Sequence, residues 1–141
     1  MMKEDYLIRI EGRQEQDGEE NAISLVTRGS FVQKGANYYI TYKETEATGF
    51  IGCTTTVKIE GEDRVTMLRH GPAPSQLVIE KGRRNVCLYE TGHGSLSLGI
   101  SADGIKARLG SGGGEVEFCY LLDMNAACFS KNTVKITVRE G

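Results

Sequence analysis

The sequence lacks what would carry it into or across a membrane. No apolar run approaches the length of a membrane-spanning helix. Met1 to Tyr6 carries charges where a signal peptide needs an apolar core of about seven residues or more. The expectation is a cytoplasmic protein without a membrane partner. An excess of basic charge is also missing. Seventeen basic residues against nineteen acidic ones leave a formal net charge of -2, so no large positive field draws in phosphate backbones. Nucleic acid is therefore not an expected partner.

Catalytic and metal signatures are absent as well. There is no G-x-S-x-G elbow, G-x-G-x-x-G fingerprint, P-loop or H-E-x-x-H. Gly110 to Gly114 has the composition of a phosphate cradle, but it joins two strands, whereas a cradle needs a following helix whose N-terminal amides face the anion. Four cysteines, Cys53, Cys87, Cys119 and Cys128, form no C-x-x-C pair and read as small core residues in a reducing compartment. If Asn125 and Ala126 form a two-residue turn, Cys119 and Cys128 do not face each other. His70 and His93 are the only histidines, and both sit beside glycine-bearing turns. Zinc needs three or four ligands, so neither a metal nor another cofactor is expected. The protein reads as a non-enzyme.

What is present is turn chemistry at short intervals. Breaks fall at Gln16–Asn21, Lys34–Asn37, Ala47–Gly52, Gly61–Arg64, Gly71–Ser75, Gly82–Arg84, Gly92–Gly94, Asp103–Gly104, Gly110–Gly114 and Asn125–Ala126, with period-two alternation between them. The 141 residues match one domain, long enough to bury roughly two thirds of its unfolded surface. The pattern predicts a single all-β domain over residues 1–141, a largely up-and-down antiparallel barrel of about eight to ten strands with little or no helix.

Two hairpins are specified in register. Asp103-Gly104 suits a type I′ turn and would pair Leu98 with Leu109 and Ile100 with Ala107. A turn at Gly35-Ala36 would set Phe31 opposite Ile40, Gly29 opposite Tyr42 and Thr27 opposite Glu44, with Gly29 leaving room for the Tyr42 ring. The first strand alternates Tyr6, Ile8 and Ile10 with Leu7, Arg9 and Glu11. The last alternates Val134, Ile136 and Val138 with Lys135, Thr137 and Arg139. Two one-sided terminal strands favour closure by pairing with each other.

Several segments carry a resemblance: Ile10-Glu11-Gly12-Arg13-Gln14, Tyr39-Ile40-Thr41-Tyr42-Lys43-Glu44, the threonine-bearing stretch from Gly52 to Ile59, Arg69-His70-Gly71, and Leu88-Tyr89-Glu90-Thr91 followed by Gly94. Along nearly its whole length the chain resembles the YwiB-like family of uncharacterised bacterial proteins, which implies a calycin-like, lipocalin-type barrel. It departs from true lipocalins, whose Gly-x-Trp is replaced here by Gly12-Arg13-Gln14 in a chain without tryptophan. Lipocalin ligands are therefore not transferred.

Strand alternation turns a set of polar residues inward. Arg69 shares a face with Val65 and Met67, Tyr42 and Glu44 point inward from the second hairpin, Thr55 joins Val57 and Ile59, and Tyr89 and Thr91 join Cys87. At Gln76 the parity is ambiguous, because Leu77 and Ile79 compete with Val78 for the core. An inward arginine among hydroxyls suits the carboxylate or phosphate of a small ligand, with Ile8, Ile40, Met67 and Leu98 as walls. The plainer alternative is an Arg69–Glu44 ion pair completed by tyrosine hydroxyls. The ranking is a barrel enclosing a small amphipathic or anionic molecule, then a filled barrel acting through its outer surface around Val32 and Tyr39, then an enzyme using Glu44 as general acid or base. Nothing in the pattern separates a monomer from a homodimer.

Overall fold

The computed structural model describes residues 6–46, 50–72, 74–90, 95–124 and 127–141, the side chains of residues 88–90 and 95 apart. They form ten strands: β1 (Tyr6–Gln16), β2 (Glu19–Lys34), β3 (Asn37–Lys43), β4 (Thr54–Glu60), β5 (Arg64–His70), β6 (Ser75–Glu80), β7 (Arg84–Glu90), β8 (Ser95–Gly110), β9 (Gly113–Met124) and β10 (Ala127–Glu140). The sheet runs β6-β5-β4-β3-β2-β1-β10-β9-β8-β7, antiparallel throughout. The terminal strands pair from Tyr6 opposite Glu140 to Glu15 opposite Lys131, as their one-sided patterns require. The result is the expected all-β, up-and-down, nearly closed barrel.

Most turns sit where glycine permits them. Asp17 and Gly18 both have positive φ, 52° and 78°, giving β1 and β2 a two-residue connection whose twist matches the strands. The β2–β3 hairpin has the predicted register, Phe31 opposite Ile40 and Gly29 opposite Tyr42, but its ladder ends there, short of a Thr27–Glu44 pair. The space at Gly29 serves a different neighbour than the Tyr42 ring. A Cβ there would strike the Thr41 carbonyl and the Ile8 Cδ1, so glycine lets β1 and β3 press on β2 from both sides.

The predicted Asp103-Gly104 hairpin is not formed. β8 runs straight through it, and pairing with β9 jumps from Ala102–Tyr120 to Gly104–Cys119, a bulge that leaves Asp103 without a partner in the ladder. Leu98 therefore pairs with Cys87 rather than Leu109, and Ala107 with Val116 rather than Ile100. The one-face assignment survives for another reason. The extra residue shifts the alternation by one, so Leu98, Ile100 and Ala102 before the bulge and Ile105, Ala107 and Leu109 after it all turn toward the core. The reversal comes at Ser111-Gly112. A second bulge, at Phe129 between Cys128 and Ser130, interrupts the β9–β10 ladder, and Cys119 faces Thr133 rather than Cys128. The Asn125–Ala126 turn, the Gly92–Gly94 turn with His93, and part of the Ala47–Gly52 loop lie outside the described residues.

Closure is completed by side chains where the ladder fails. Among the described residues one backbone bridge, Glu80 to Arg83, is formed at this seam, in the turn that joins β6 to β7. Beyond it Asn85 Nδ2 donates to the Val78 carbonyl at 3.3 Å. On the half of β8 that β7 does not reach, the Ala107 N–H donates to Glu62 Oε2 at 3.1 Å and the Tyr38 hydroxyl donates to the Leu109 carbonyl at 3.1 Å. These contacts occupy groups that a bare edge would offer to another chain.

The interior is packed. Ile8, Ile40, Val57, Ile59, Val65, Ile79, Ile100, Val116, Phe118 and Ile136 are wholly inaccessible to solvent and belong to one cluster. Phe118→Ala should cost about 3–5 kcal/mol in urea unfolding, since it deletes a large side chain from a filled core. Val86→Ala, on a side chain 62% exposed on the outer face, should stay within about 0.5 kcal/mol of the parent. Equal losses at the two positions would contradict this placement of the core.

Candidate functional site

The polar end of the interior is built by register. Gly29, Tyr42, Thr55, Arg69 and Ser75 stand in one cross-strand row from β2 to β6. Glu44 follows β3 by one residue and is fixed by its own N–H, which donates to the Cys53 carbonyl at 2.9 Å. Tyr42, Thr55 and Glu44 are buried, and Arg69 is half-buried. Threonine at 55 is well chosen for this row, because its hydroxyl donates to Glu44 Oε1 at 3.1 Å and satisfies a carboxylate that burial would otherwise destabilise.

Burial raises the Tyr42 phenol well above its ordinary range. The charge of Glu44 and a hydrogen bond to it act the same way, while Thr55 and Arg69 oppose the shift. The phenol therefore stays protonated and donates toward the carboxylate.

Arg69 does not form the ion pair with Glu44 that the sequence offered as an alternative. Among the described residues no ion pair joins them. The guanidinium instead lies over the Phe50 ring, with Cζ 3.5 Å from the centroid. Among the described residues its Nε is buried without a hydrogen-bond partner. Leaving a buried donor unmade costs roughly 1–3 kcal/mol, more when the group is charged. Such an atom calls for an acceptor.

Two further residues complete the mouth that sequence reasoning missed. Tyr120 on β9 is buried, its phenol is pushed up to about 12 by burial, and Arg69 is near enough for its charge to pull the other way. Its alternation with Val116 and Phe118 was the available signal. Phe50 lies in the β3–β4 loop, where no periodicity announces an inward ring.

The remaining predicted residues do not join them. Gln76 is exposed on the outer face, because Leu77 and Ile79 win the core opposite Met67 and Val65. Tyr89 pairs with Leu96 in the β7–β8 ladder, but its side chain lies outside the described residues, as does Thr91. Of the proposed walls, Ile8 and Ile40 belong to the core cluster with Met67 packed against it, and Leu98 is buried outside that cluster. Of five clefts of about 160–420 Å³, none is lined by Arg69, Tyr42 or Glu44, and one of about 210 Å³ is lined by Tyr120 together with Asn132 and Ile23. Among the described residues no group of three or more His, Cys, Asp or Glu is placed to hold a metal ion, and no helix is long and apolar enough to cross a membrane.

Fold and mouth together define a packed up-and-down β-barrel with one polar end, carrying an arginine whose buried nitrogen lacks an acceptor among the described residues. The chain belongs to the family described as a domain of unknown function, DUF1934, whose model matches residues 8–136. Among solved structures it is similar to the ywiB protein from Bacillus subtilis, with a TM-score of 0.81 and 24% identity over 99% of this chain and 95% of that one. The resemblance to the YwiB-like family is thus borne out, and at that identity the structural likeness carries the fold alone. No curated protein matches the chain.

In a spectrophotometric titration, Tyr42 and Tyr120 should ionise above the ordinary phenol range, with Tyr120 near pH 12. Each has a folded-state pKa above the unfolded value of about 10, so its contribution to stability is complete below about pH 10 and falls as pH rises toward and through the folded value. Urea midpoints measured from pH 8 to 11.5 should therefore decline only in the upper part of that range. Ionisation of Tyr42 and Tyr120 near pH 10, identified by the amplitude lost in their Phe variants, would contradict the burial of these two.

Proposed function

We propose that this barrel binds a small, singly charged carboxylate at its mouth, with Arg69 as the anchor. The observation that carries this reading is the Arg69 Nε, buried and without a hydrogen-bond partner among the described residues, while Glu44, which acts with it on Tyr42, is hydrogen-bonded by Thr55. Arginine presents a planar fork of donors that matches a carboxylate, and Phe50 holds that fork flat. Tyr120, kept protonated by burial, is a neutral donor beside it. Glu44 sets the charge limit. One guanidinium at a mouth that also holds one buried carboxylate accommodates a single further negative charge better than a polyphosphate. With the interior filled, the ligand sits in the mouth and is only partly enclosed. A cytoplasmic, non-catalytic role belongs to the same proposal.

A second reading is supported by the packing itself. An interior of ten wholly buried apolar side chains suits a barrel that acts only through its outer surface. The two are separated by calorimetric titration with benzoate and hexanoate. Wild-type protein should bind at least one of them with a dissociation constant below about 1 mM, Arg69→Ala should weaken it at least about tenfold, and Arg69→Lys should restore only part, since the fork is lost. Thermal melts establish that each variant is folded. Equal affinity in wild type and Arg69→Ala would remove the anchor and leave the second reading.

A further inference from the structure

The outer face of β2, β1 and β10 takes no part in the mouth, and its register sorts the side chains into rows. Arg28, Leu7 and Arg139 form one row, and Val26, Arg9 and Thr137 form the next row on that face. All three arginines are exposed, Val26 is 62% exposed and Leu7 is half-buried. Leu7, Val26, Arg9, Thr137 and Arg139 line a shallow cleft of about 370 Å³.

The charge of this face runs against that of the chain, which is net acidic. Other outward cations on neighbouring strands are neutralised nearby: Arg13 by Glu20 at 3.5 Å and Lys135 by Glu115 at 3.7 Å. Arg9 has Glu11 at 3.1 Å. Among the described residues neither Arg28 nor Arg139 enters an ion pair. Two arginines without an ion pair among the described residues thus flank a leucine on this face.

We propose that this face docks an acidic amphipathic helix of a partner protein, independently of any ligand at the mouth. Adjacent strands lie about 4.8 Å apart, so the stems of Arg28 and Arg139 stand about 10 Å apart with Leu7 midway. A helix rises about 1.5 Å per residue, which places carboxylates at i and i+7 about 10.5 Å apart with an apolar side chain at i+4 between them on one face. A helix carrying Glu, Leu and Glu at those positions, laid across the strands, meets both arginines and the leucine together. Each guanidinium takes its carboxylate through a two-pronged hydrogen bond. A small polyanion would engage the arginines but leave Leu7 and Val26 without a role.

The test uses the full chain and a capped, fluorescently labelled, alanine-rich helical peptide of about 18 residues with Glu at i and i+7 and Leu at i+4. Anisotropy at low salt should show saturable binding that weakens as salt is added. Arg28→Ser/Arg139→Ser should weaken it at least about fivefold, Leu7→Ser should weaken it too, and Arg13→Ser should leave it unchanged. The charge-reversed Arg28→Glu/Arg139→Glu chain should lose this peptide and gain affinity for one with Lys in place of both Glu, a readout that misfolding cannot produce. Three results would overturn the proposal: a Gln-substituted peptide binding equally well, affinity indifferent to Arg28 and Arg139, or tripolyphosphate displacing the peptide while Leu7→Ser has no effect. The last would mark a small-polyanion site instead.

Discussion

Ten strands share one interior, so each must hold its apolar face inward along its whole length, and a slip of one residue anywhere would turn that strand inside out. The demand is heaviest on β8, which runs for 16 residues through a sheet that twists. Its bulge at Ala102 to Gly104 answers it. Without the extra residue, Ile105, Ala107 and Leu109 would face water. The bulge at Phe129 lies near the start of β10, before the unbroken alternation that turns Ser130, Asn132, Ile136 and Val138 inward. The closing side chains Asn85, Glu62 and Tyr38 follow from the same geometry, since a barrel with the β6–β7 ladder unmade must satisfy its edges some other way.

The mouth is where that demand relaxes. The apolar column ends, and the next positions of the same alternation carry Tyr42, Thr55 and Arg69. Tyr42 and Thr55 are tolerated because they hydrogen-bond Glu44, and Glu44 because they do. The arrangement is a network in which each buried polar group offsets the desolvation of another. Arg69 is attached to it by position and by Phe50, yet among the described residues its Nε has no bond of its own.

The fold was legible because its cues are local. Glycine-bearing turns and period-two alternation located most of the strands, and Gly35-Ala36 gave the β2–β3 register as far as the Gly29–Tyr42 pair where the ladder ends. Asp103-Gly104 misled because a bulge and a tight turn draw on the same residue types, and only the partner strand decides between them. The inward row was legible for the same reason as the strands, since parity alone points Tyr42, Thr55 and Arg69 to the interior. Parity does not say which inward groups meet. The Arg69–Glu44 pairing was reasonable by charge but is displaced by Phe50, a loop residue with no periodic signal, and Gln76 lost its place to Leu77 and Ile79 on volume. The arginine row around Leu7 required the β1–β2 and β1–β10 registers, which no single segment contains.

The central claim is that the buried Nε of Arg69 awaits an acceptor. The most direct measurement is the ¹H–¹⁵N resonance of that Nε–H, assigned by its loss in Arg69→Lys and followed as benzoate is added. It should be visible at neutral pH, because burial slows its exchange with water, and it should shift downfield and saturate as the carboxylate binds. A resonance that exchanges as fast as those of the surface arginines, or that stays fixed at saturating benzoate, would contradict the account.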